Sequence, residues 1–249
     1  TSGGAITDSG TQAITGDATF TNTAGSDDAI TLDDASNAFG GTVTFATDSG
    51  SAVTIVDTTA LDLVALTAAS LSATSGGAVT DSGTLAITGA TTISASGQDI
   101  TLDQASSTFG TLALTGANVA VTENAATDLG ASTVSGTFAI TSGGAITDSG
   151  TQAITGDATF TNTAGTDDAI TLDDASNDFG GTVTFAADSG SAVTIVDITA
   201  LDLKALTAAS LSATAGGAVT DSGTLAIAGA TTISCLLYTS DAADEHRRG

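Results

Sequence analysis

The sequence predicts an all-β chain, in the form of a right-handed parallel β-helix (β-solenoid) of about ten coils of roughly 20–25 residues. Three observations predict it. Short β-branched runs are separated by Gly, Ser, Asn and Asp turns, an acidic residue recurs after these runs, and the chain contains long internal repeats. Proline, methionine and tryptophan are absent, and eight phenylalanines and one tyrosine are the only aromatic residues. The residues available for a core are therefore mostly small or β-branched, which suits strands.

Repetition occurs at two levels. Residues 1–94 reappear as residues 141–234, with seven positions changed. Within this 140-residue repeat, a nonapeptide that begins Ser-Gly-Gly-Ala-Ile-Thr-Asp returns in closely similar form at Ser2, Ser75, Ser142 and Ala215. These returns predict four units, namely unit A (1–74), unit B (75–141), unit A′ (142–214) and the truncated start of unit B′ (215–234).

The finest repeating element is a β-branched run that ends in an acid. Successive acids of this kind lie 20–25 residues apart, a period found in solenoids. They are Asp8, Asp33, Asp57, Asp81, Asp103, Glu123, Asp148, Asp173, Asp197 and Asp221. Because stacked coils are ~4.8 Å apart, ten coils would form a rod about 50 Å long, and coils stacked in register would align these acids in one column. The stretch 59–73 has the weakest strand signal, so a short helix is the alternative there.

Tandem β-sandwich repeats of about 70 residues are the alternative fold. A sandwich needs large core residues, which this chain lacks, and gives no reason for the shorter period. Between the two long copies, Ala38 is exchanged for Asp178 and Val64 for Lys204. Because burying a charge is costly, both positions are predicted to lie at the surface.

Residues 235–249 are predicted to be a non-native, disordered tail. The run from Cys235 to Glu245 resembles a translated sequencing adapter, so this segment is excluded from the fold prediction. It holds the only cysteine, tyrosine and histidine and both arginines. Lys204 is then the single basic residue left. We also expect the remaining sequence to be an internal fragment, with any signal peptide upstream, because it opens within a repeat.

The formal net charge of −25 disfavours nucleic acid and anionic lipid as partners. No apolar run approaches the roughly 20 residues that span a bilayer, so we expect no membrane insertion. Outside the tail there is no His, Cys, Tyr or Arg to serve as acid, base, nucleophile or anion clamp. We therefore expect no enzyme, and predict no catalytic or cofactor-binding residue. A polysaccharide-acting β-helix enzyme is a distant alternative, since it would use a unique carboxylate pair.

Calcium is the one cofactor that the sequence leaves open, because Ca²⁺ takes six to eight oxygen ligands. The densest acidic sets are Asp27, Asp28, Asp33 and Asp34 and their copies Asp167, Asp168, Asp173 and Asp174. Neither an EF-hand loop nor the glycine-rich calcium nonapeptide is present. The competing interpretation is that the acids lie at solvated corners and accept hydrogen bonds from turn amides.

The repeat motifs carry a family resemblance. Gly-Gly-Ala-Ile-Thr-Asp-Ser-Gly at 3–10, Ala-Ile-Thr-Leu-Asp at 29–33 and Phe-Gly-Gly-Thr-Val-Thr-Phe at 39–45 resemble the repeat regions of giant filamentous-haemagglutinin-like exoproteins of Gram-negative bacteria. The resemblance covers residues 1–234. It implies a β-helical shaft that is exported across the outer membrane to a secreted or outer-surface location, with a role in adhesion or biofilm formation.

On this resemblance we expect a structural stalk of an adhesin. A host-surface or matrix glycan or protein would bind regions outside this chain, and the rods themselves would associate laterally. The alternative function is a calcium-dependent cell-surface matrix protein built of β-sandwich repeats.

Overall fold

The computed structural model describes residues 1–22, 25, 27–163, 165 and 167–235. Regular secondary structure in these residues consists of short β-strands, with no helix. In chain order the strands are β1 (Ile6–Thr7), β2 (Ala13–Ile14), β3 (Ala18–Thr21), β4 (Ile30–Leu32), β5 (Ala38–Phe39), β6 (Thr42–Ala46), β7 (Ala52–Asp57), β8 (Leu61–Leu63), β9 (Leu66–Ala68), β10 (Ser70–Ser75), β11 (Val79–Asp81), β12 (Leu85–Ile87), β13 (Ala90–Ser94), β14 (Ile100–Leu102), β15 (Thr111–Gly116), β16 (Val119–Glu123), β17 (Thr127–Leu129), β18 (Ser132–Val134), β19 (Phe138–Ser142), β20 (Ile146–Asp148), β21 (Gln152–Ile154), β22 (Ala158–Asn162), β23 (Ile170–Leu172), β24 (Asp178–Phe179), β25 (Thr182–Ala186), β26 (Ala192–Asp197), β27 (Leu201–Ala208), β28 (Ser210–Ala215), β29 (Val219–Asp221), β30 (Leu225–Ile227) and β31 (Thr231–Cys235).

The strands stack in parallel into a β-solenoid of about 11 turns. Fifteen strands form sheet 1, whose main path runs from β1 through β4, β7, β10, β13, β15, β17, β20, β23, β26 and β28 to β31. Twelve strands form sheet 2, which runs from β3 to β29, and β2–β5 and β9–β12 form two small sheets. The predicted β-solenoid is confirmed. The β-sandwich alternative is wrong, because the strands pair in parallel with the next turn rather than in antiparallel hairpins.

The turns vary in length more than the sequence period indicates. Residues paired between neighbouring turns are 25 positions apart at Ala13 and Ala38 but only 17 apart at Leu112 and Leu129. A parallel β-stack tolerates this variation because the strands hold a fixed spacing while the corners absorb the extra residues.

The core is a stack of inward-facing apolar side chains. In β7, Val53 and Ile55 are buried while Thr54 and Val56 face outward, as the two-residue period of a strand requires. Each fully buried aliphatic side chain contributes about 1.5–3 kcal/mol. Each turn buries only a few such residues, and the turns above and below cover them, so the core exists only because the turns stack.

Units A and B have the same strand pattern on opposite faces of the solenoid. The nonapeptide strand is β1 in sheet 1 for unit A but β11 in sheet 2 for unit B, and the next copies, β20 and β29, alternate in the same way. From β1 to β20 sheet 1 makes seven steps, so the 140-residue repeat spans seven turns. Each unit therefore spans about three and a half turns, and successive units are related by a half-turn about the solenoid axis.

This half-turn overturns the prediction of a single acid column. Asp57 ends a strand of sheet 1, where it pairs with Ser75. Asp81 ends a strand of sheet 2, where it pairs with Leu63. The acids that end the β-branched runs are therefore divided between the two faces.

The alternative of a short helix at residues 59–73 is wrong, because that stretch forms β8, β9 and most of β10. The surface prediction for Ala38 and Val64 is confirmed, since both are partly exposed. Lys204, which replaces Val64 in the second copy, has a side chain 56% exposed and lies 3.8 Å from the Asp157 carboxylate.

Candidate functional site

The acid of the nonapeptide caps the turn that follows it. The Asp8 carboxylate accepts hydrogen bonds from the backbone N–H groups of Asp33 (3.2 Å) and Asp34 (3.3 Å) and from Nδ2 of Asn37 (2.7 Å). Burial raises the pKa of Asp8, but these hydrogen bonds outweigh it and hold the pKa below its usual value. The same three contacts recur at Asp148. These acids satisfy amides of the next turn, as the capping interpretation predicted.

Asp81, the equivalent acid of unit B, has a different environment. It accepts a hydrogen bond from the Asp103 N–H at 2.8 Å, but Ser107 occupies the position of Asn37. Ser107 instead uses its hydroxyl oxygen to accept the Leu85 N–H at 3.0 Å. Burial raises the pKa of Asp81 above its usual value despite the Asp103 hydrogen bond. The corners of units A and B differ at Asn37/Ser107 and also at Asp34/Gln104, and Asp81 has lost the side-chain donor that Asn37 provides to Asp8.

A second set of acids is buried, which the sequence analysis did not predict. Asp57, Glu123 and Asp197 occupy equivalent positions at strand ends and are 1–2% exposed. Each accepts a hydrogen bond from the backbone N–H of a buried phenylalanine, and these residues are Phe39, Phe109 and Phe179. The signal was available in the strand period, because in β16 the alternate residues Val119, Val121 and Glu123 all face inward.

Each of the two aspartates in this set has one carboxylate oxygen without a hydrogen-bond partner. Oδ1 of Asp57 accepts from Phe39 N–H and from the amide and hydroxyl of Thr59, whereas Oδ2 is buried without a hydrogen-bond partner. Oδ2 of Asp197 is in the same situation. Burial raises the pKa of Asp197, since an ionised carboxylate loses its hydration there, and the hydrogen bonds from Thr199 and Phe179 only partly offset this.

Glu123 is longer by one methylene and reaches a partner with each oxygen. Oε1 accepts a hydrogen bond from the Phe109 N–H at 2.7 Å, and Oε2 accepts one from the hydroxyl of buried Thr127 at 2.9 Å. Burial nevertheless raises the pKa of Glu123 to about 7, because these two hydrogen bonds only partly replace the lost hydration.

The predicted calcium ligands are separated by a strand. Asp27 and Asp28 precede β4, whereas Asp33 and Asp34 follow it at the opposite end. Asp34 accepts the Ser36 N–H at 2.9 Å. In the second copy, Asp167 and Asp168 likewise precede β23, and Asp173 and Asp174 follow it.

The described residues contain no group of three or more His, Cys, Asp or Glu side chains arranged to hold a metal ion. Calcium binding stays a prediction, and the structure does not bring the four acids of either set together.

The outward faces carry ladders of small residues, mostly hydroxyl-bearing and uncharged. The backbone register aligns them from turn to turn. On sheet 1 one ladder comprises Thr7, Thr31, Thr54, Ser72, Thr92 and Ala113. On sheet 2 another comprises Thr80, Thr101, Ala120, Ala139, Thr159 and Thr184. Asp62, Asp128 and Asp202 interrupt these ladders, each paired with the outward threonine of a nonapeptide strand. The stretches of ladder between them are neutral.

A repeat family described as repeats of unknown function (DUF5649) matches residues 1–46, 50–115, 116–186 and 190–236. The chain belongs to this family. No curated protein and no solved structure gives a match.

The DUF5649 matches follow one another along the solenoid, and the longest, residues 116–186, contains β16 through β25. No helix in the described part of this DUF5649 chain is long and apolar enough to cross a membrane.

Proposed function

We propose that this chain is the structural stalk of a secreted or surface-exposed bacterial adhesin and supports adhesion or biofilm formation. The observation that carries the proposal is the continuity of sheets 1 and 2 across the described residues. Eleven turns at ~4.8 Å give a rod about 53 Å long. A rod of this kind separates whatever lies at its two ends, which is the mechanical task of a stalk.

Two physical properties suit the chain to this task. Strand backbones are hydrogen-bonded to the turns above and below, so bending the rod would distort many hydrogen bonds at once. The net charge of −25 keeps rods soluble and opposes indiscriminate association. The neutral outward ladders are the surfaces on which rods could approach laterally with the least repulsion.

The resemblance to filamentous-haemagglutinin-like exoproteins supports a rod that is exported from the cell and takes part in adhesion. Under this proposal, glycan or protein ligands bind parts of the adhesin outside this chain. No catalytic role is assigned to the chain, because the carboxylates described above are used to accept hydrogen bonds from corner amides and side chains.

Small-angle scattering and circular dichroism of the chain, with calcium and with chelator, test the proposal. We expect a rod about 53 Å long with a β-sheet spectrum that chelation leaves unchanged. A chain that becomes extended only with Ca²⁺ would favour the calcium-dependent matrix protein instead. A compact sphere in both conditions would remove the basis for a stalk.

A further inference from the structure

Glu123 is an acid at a core position with no counter-charge. It is 2% exposed, and the two inward residues that precede it in β16 are valines. Lys204 is the only Lys or Arg among the described residues, and it lies in sheet 2 on β27, several turns away from β16. The carboxyl group is therefore held by neutral donors alone.

The elements packed around Glu123 add no positive charge. The corner 107–110 contributes the Phe109 amide, and β19 contributes Ser142, which pairs with Glu123 through the backbone. Asp103 follows β14, the strand paired with β16 on the other side, and its side chain is exposed. Burial and the hydrogen bonds from Phe109 and Thr127, and no neighbouring charge, determine the pKa of Glu123.

The carboxyl group joins two neighbouring turns. Phe109 precedes β15, whereas Glu123 ends β16, so the 2.7 Å hydrogen bond joins the start of one flat strand to the end of the next. The adjacent bond from Asn124 N–H to Ser107 O, at 2.9 Å, closes the same junction. Water that entered to hydrate an ionised carboxylate would compete with both contacts.

We propose that Glu123 is a proton-operated latch that closes this junction when protonated and loosens it when ionised. Protonation removes the cost of a buried charge and leaves the carbonyl oxygen to accept the Phe109 N–H. Ionisation favours an open corner, in which the carboxylate reaches water. The device responds near neutral pH, whereas most exposed carboxylates have lost their protons well below it.

The direction of the pH effect follows from the raised pKa. The closed state has a pKa of about 7 and the open state the ordinary value of 4.5, so the closed state binds the extra proton. The stabilisation is complete below pH 4.5 and is lost as the pH rises through about 7. The junction is thus tighter in mild acid.

Two measurements on the full chain test the latch. The carboxyl carbon of Glu123, followed by NMR in the unmutated protein, should titrate near pH 7. Hydrogen exchange of the Phe109 amide, corrected for its intrinsic rate, should become about 70-fold faster between pH 5 and pH 8. A carboxyl that titrates near 4.5, or a corrected exchange rate that changes less than about threefold, would overturn the proposal.

Matched variants separate the latch from general pH effects. Glu123→Gln keeps an oxygen acceptor without a titrating proton, so the corrected exchange of Phe109 should no longer depend on pH. Asp103→Asn removes an exposed neighbouring acid and should retain most of the pH dependence. Equal loss of the pH dependence in both variants would contradict a role specific to Glu123, and the NMR titration decides the case even if Glu123→Gln folds poorly.

Discussion

Gly10 and Gly83 occupy the same position of the repeated nonapeptide but have different surroundings. A Cβ atom built on Gly83 would collide with the carbonyl oxygen of Val64 in the adjacent turn, whereas one on Gly10 would meet nothing within 4 Å. Neither glycine has a positive φ, so the difference is one of stacking and not of backbone conformation. Gly10 lies in the first turn of the described residues, whereas Gly150 and Gly223, at the same position of later copies, meet the preceding turn as Gly83 does.

We therefore expect Gly83→Ala to lower the free energy of unfolding by about 2 kcal/mol or more, because the turns must separate to admit the methyl group. Gly10→Ala, the matched control, should change it by less than about 0.5 kcal/mol. Denaturant melts of both variants, followed by circular dichroism, measure the difference. Equal effects at the two sites would show that the nonapeptide itself, and not the close stacking, requires glycine.

Among the hydrogen bonds that lower the pKa of Asp8, the one from the Asn37 side chain has the largest effect. Its side chain is fully buried, donates from Nδ2 to Asp8 and accepts the Gln12 N–H at Oδ1 (2.7 Å). Asn37→Ser should keep an acceptor for the Gln12 N–H, as Ser107 does for the Leu85 N–H in unit B, but should remove the donor to Asp8. We expect the pKa of Asp8 to rise from its lowered value towards or above the ordinary one.

The consequence for stability has a definite sign. A lowered carboxyl pKa contributes stability above the ordinary pKa of 3.8, which is lost as the pH falls through the folded-state value. Asn37→Ser should therefore remove stability at neutral pH that the unmutated chain loses only in acid. NMR titration of the Asp8 carboxyl checks the shift, with exposed Ser36→Ala as the control. An unchanged pKa of Asp8 would mean that the amides of Asp33 and Asp34 suffice.

At the scale of strands, the phenylalanines of unit A′ and the end of unit B form one packed cluster. The ring of Phe160 in β22 lies 5.7 Å from that of Phe185, 6.0 Å from Phe138 and 6.1 Å from Phe179, measured between centroids. These contacts join three consecutive turns of sheet 2 to a corner strand of sheet 1. Four of the eight phenylalanines thus meet at four strands, and Phe20, Phe39 and Phe45 make the corresponding contacts in unit A.

Phe160→Ala should lower the free energy of unfolding by roughly 3–5 kcal/mol, because it empties a fully buried site and removes three ring contacts. Thr159→Ala changes the neighbouring outward residue of the same strand and should cost less than about 1 kcal/mol. Thermal melts of the two variants provide the comparison. A small loss for Phe160→Ala would indicate that adjacent turns collapse into the space.

The strands and their inward residues were predictable, because alternation such as Val53, Ile55 and Asp57 fixes which side chains share a face. The number of turns was less predictable, with about ten expected and about 11 found. The acid used to count turns moves to sheet 2 between Asp57 and Asp81 and returns to sheet 1 between Glu123 and Asp148. The seven turns of the 140-residue repeat therefore carry only six of these acids.

Two further features depend on tertiary contacts. The Ala- and Leu-rich stretch from β8 to β10 has side chains that favour helix, but stacking buries Leu61, Leu66 and Leu71 in strands, and tertiary packing overrides propensity. The burial of Glu123 was visible in its alternation with valines, yet its hydrogen bond from Phe109 joins residues of different turns. Local sequence does not specify that contact.

For the whole molecule, the half-turn between units has a geometric consequence. The repeated surface of the nonapeptide faces one side in unit A, the opposite side in unit B and the first side again in unit A′. Seven turns at ~4.8 Å place equivalent points on the same face about 34 Å apart. A rod with this symmetry presents equivalent surfaces on two opposite sides, and under the proposed stalk function these surfaces would face neighbouring rods.

Spin-label distances test this arrangement directly. Cysteines at Thr7 and Thr147, which are exposed on sheet 1, should give a narrow distance distribution centred at about 34 Å in a Cys235→Ser background. A pair at Thr7 and Thr80 is separated by only about 17 Å along the axis, but Thr80 lies on sheet 2. Its measured distance should exceed this axial separation because the vector also crosses the rod. A distance no greater than the axial separation would place both units on one face, and a broad distribution for the first pair would contradict a rigid stack.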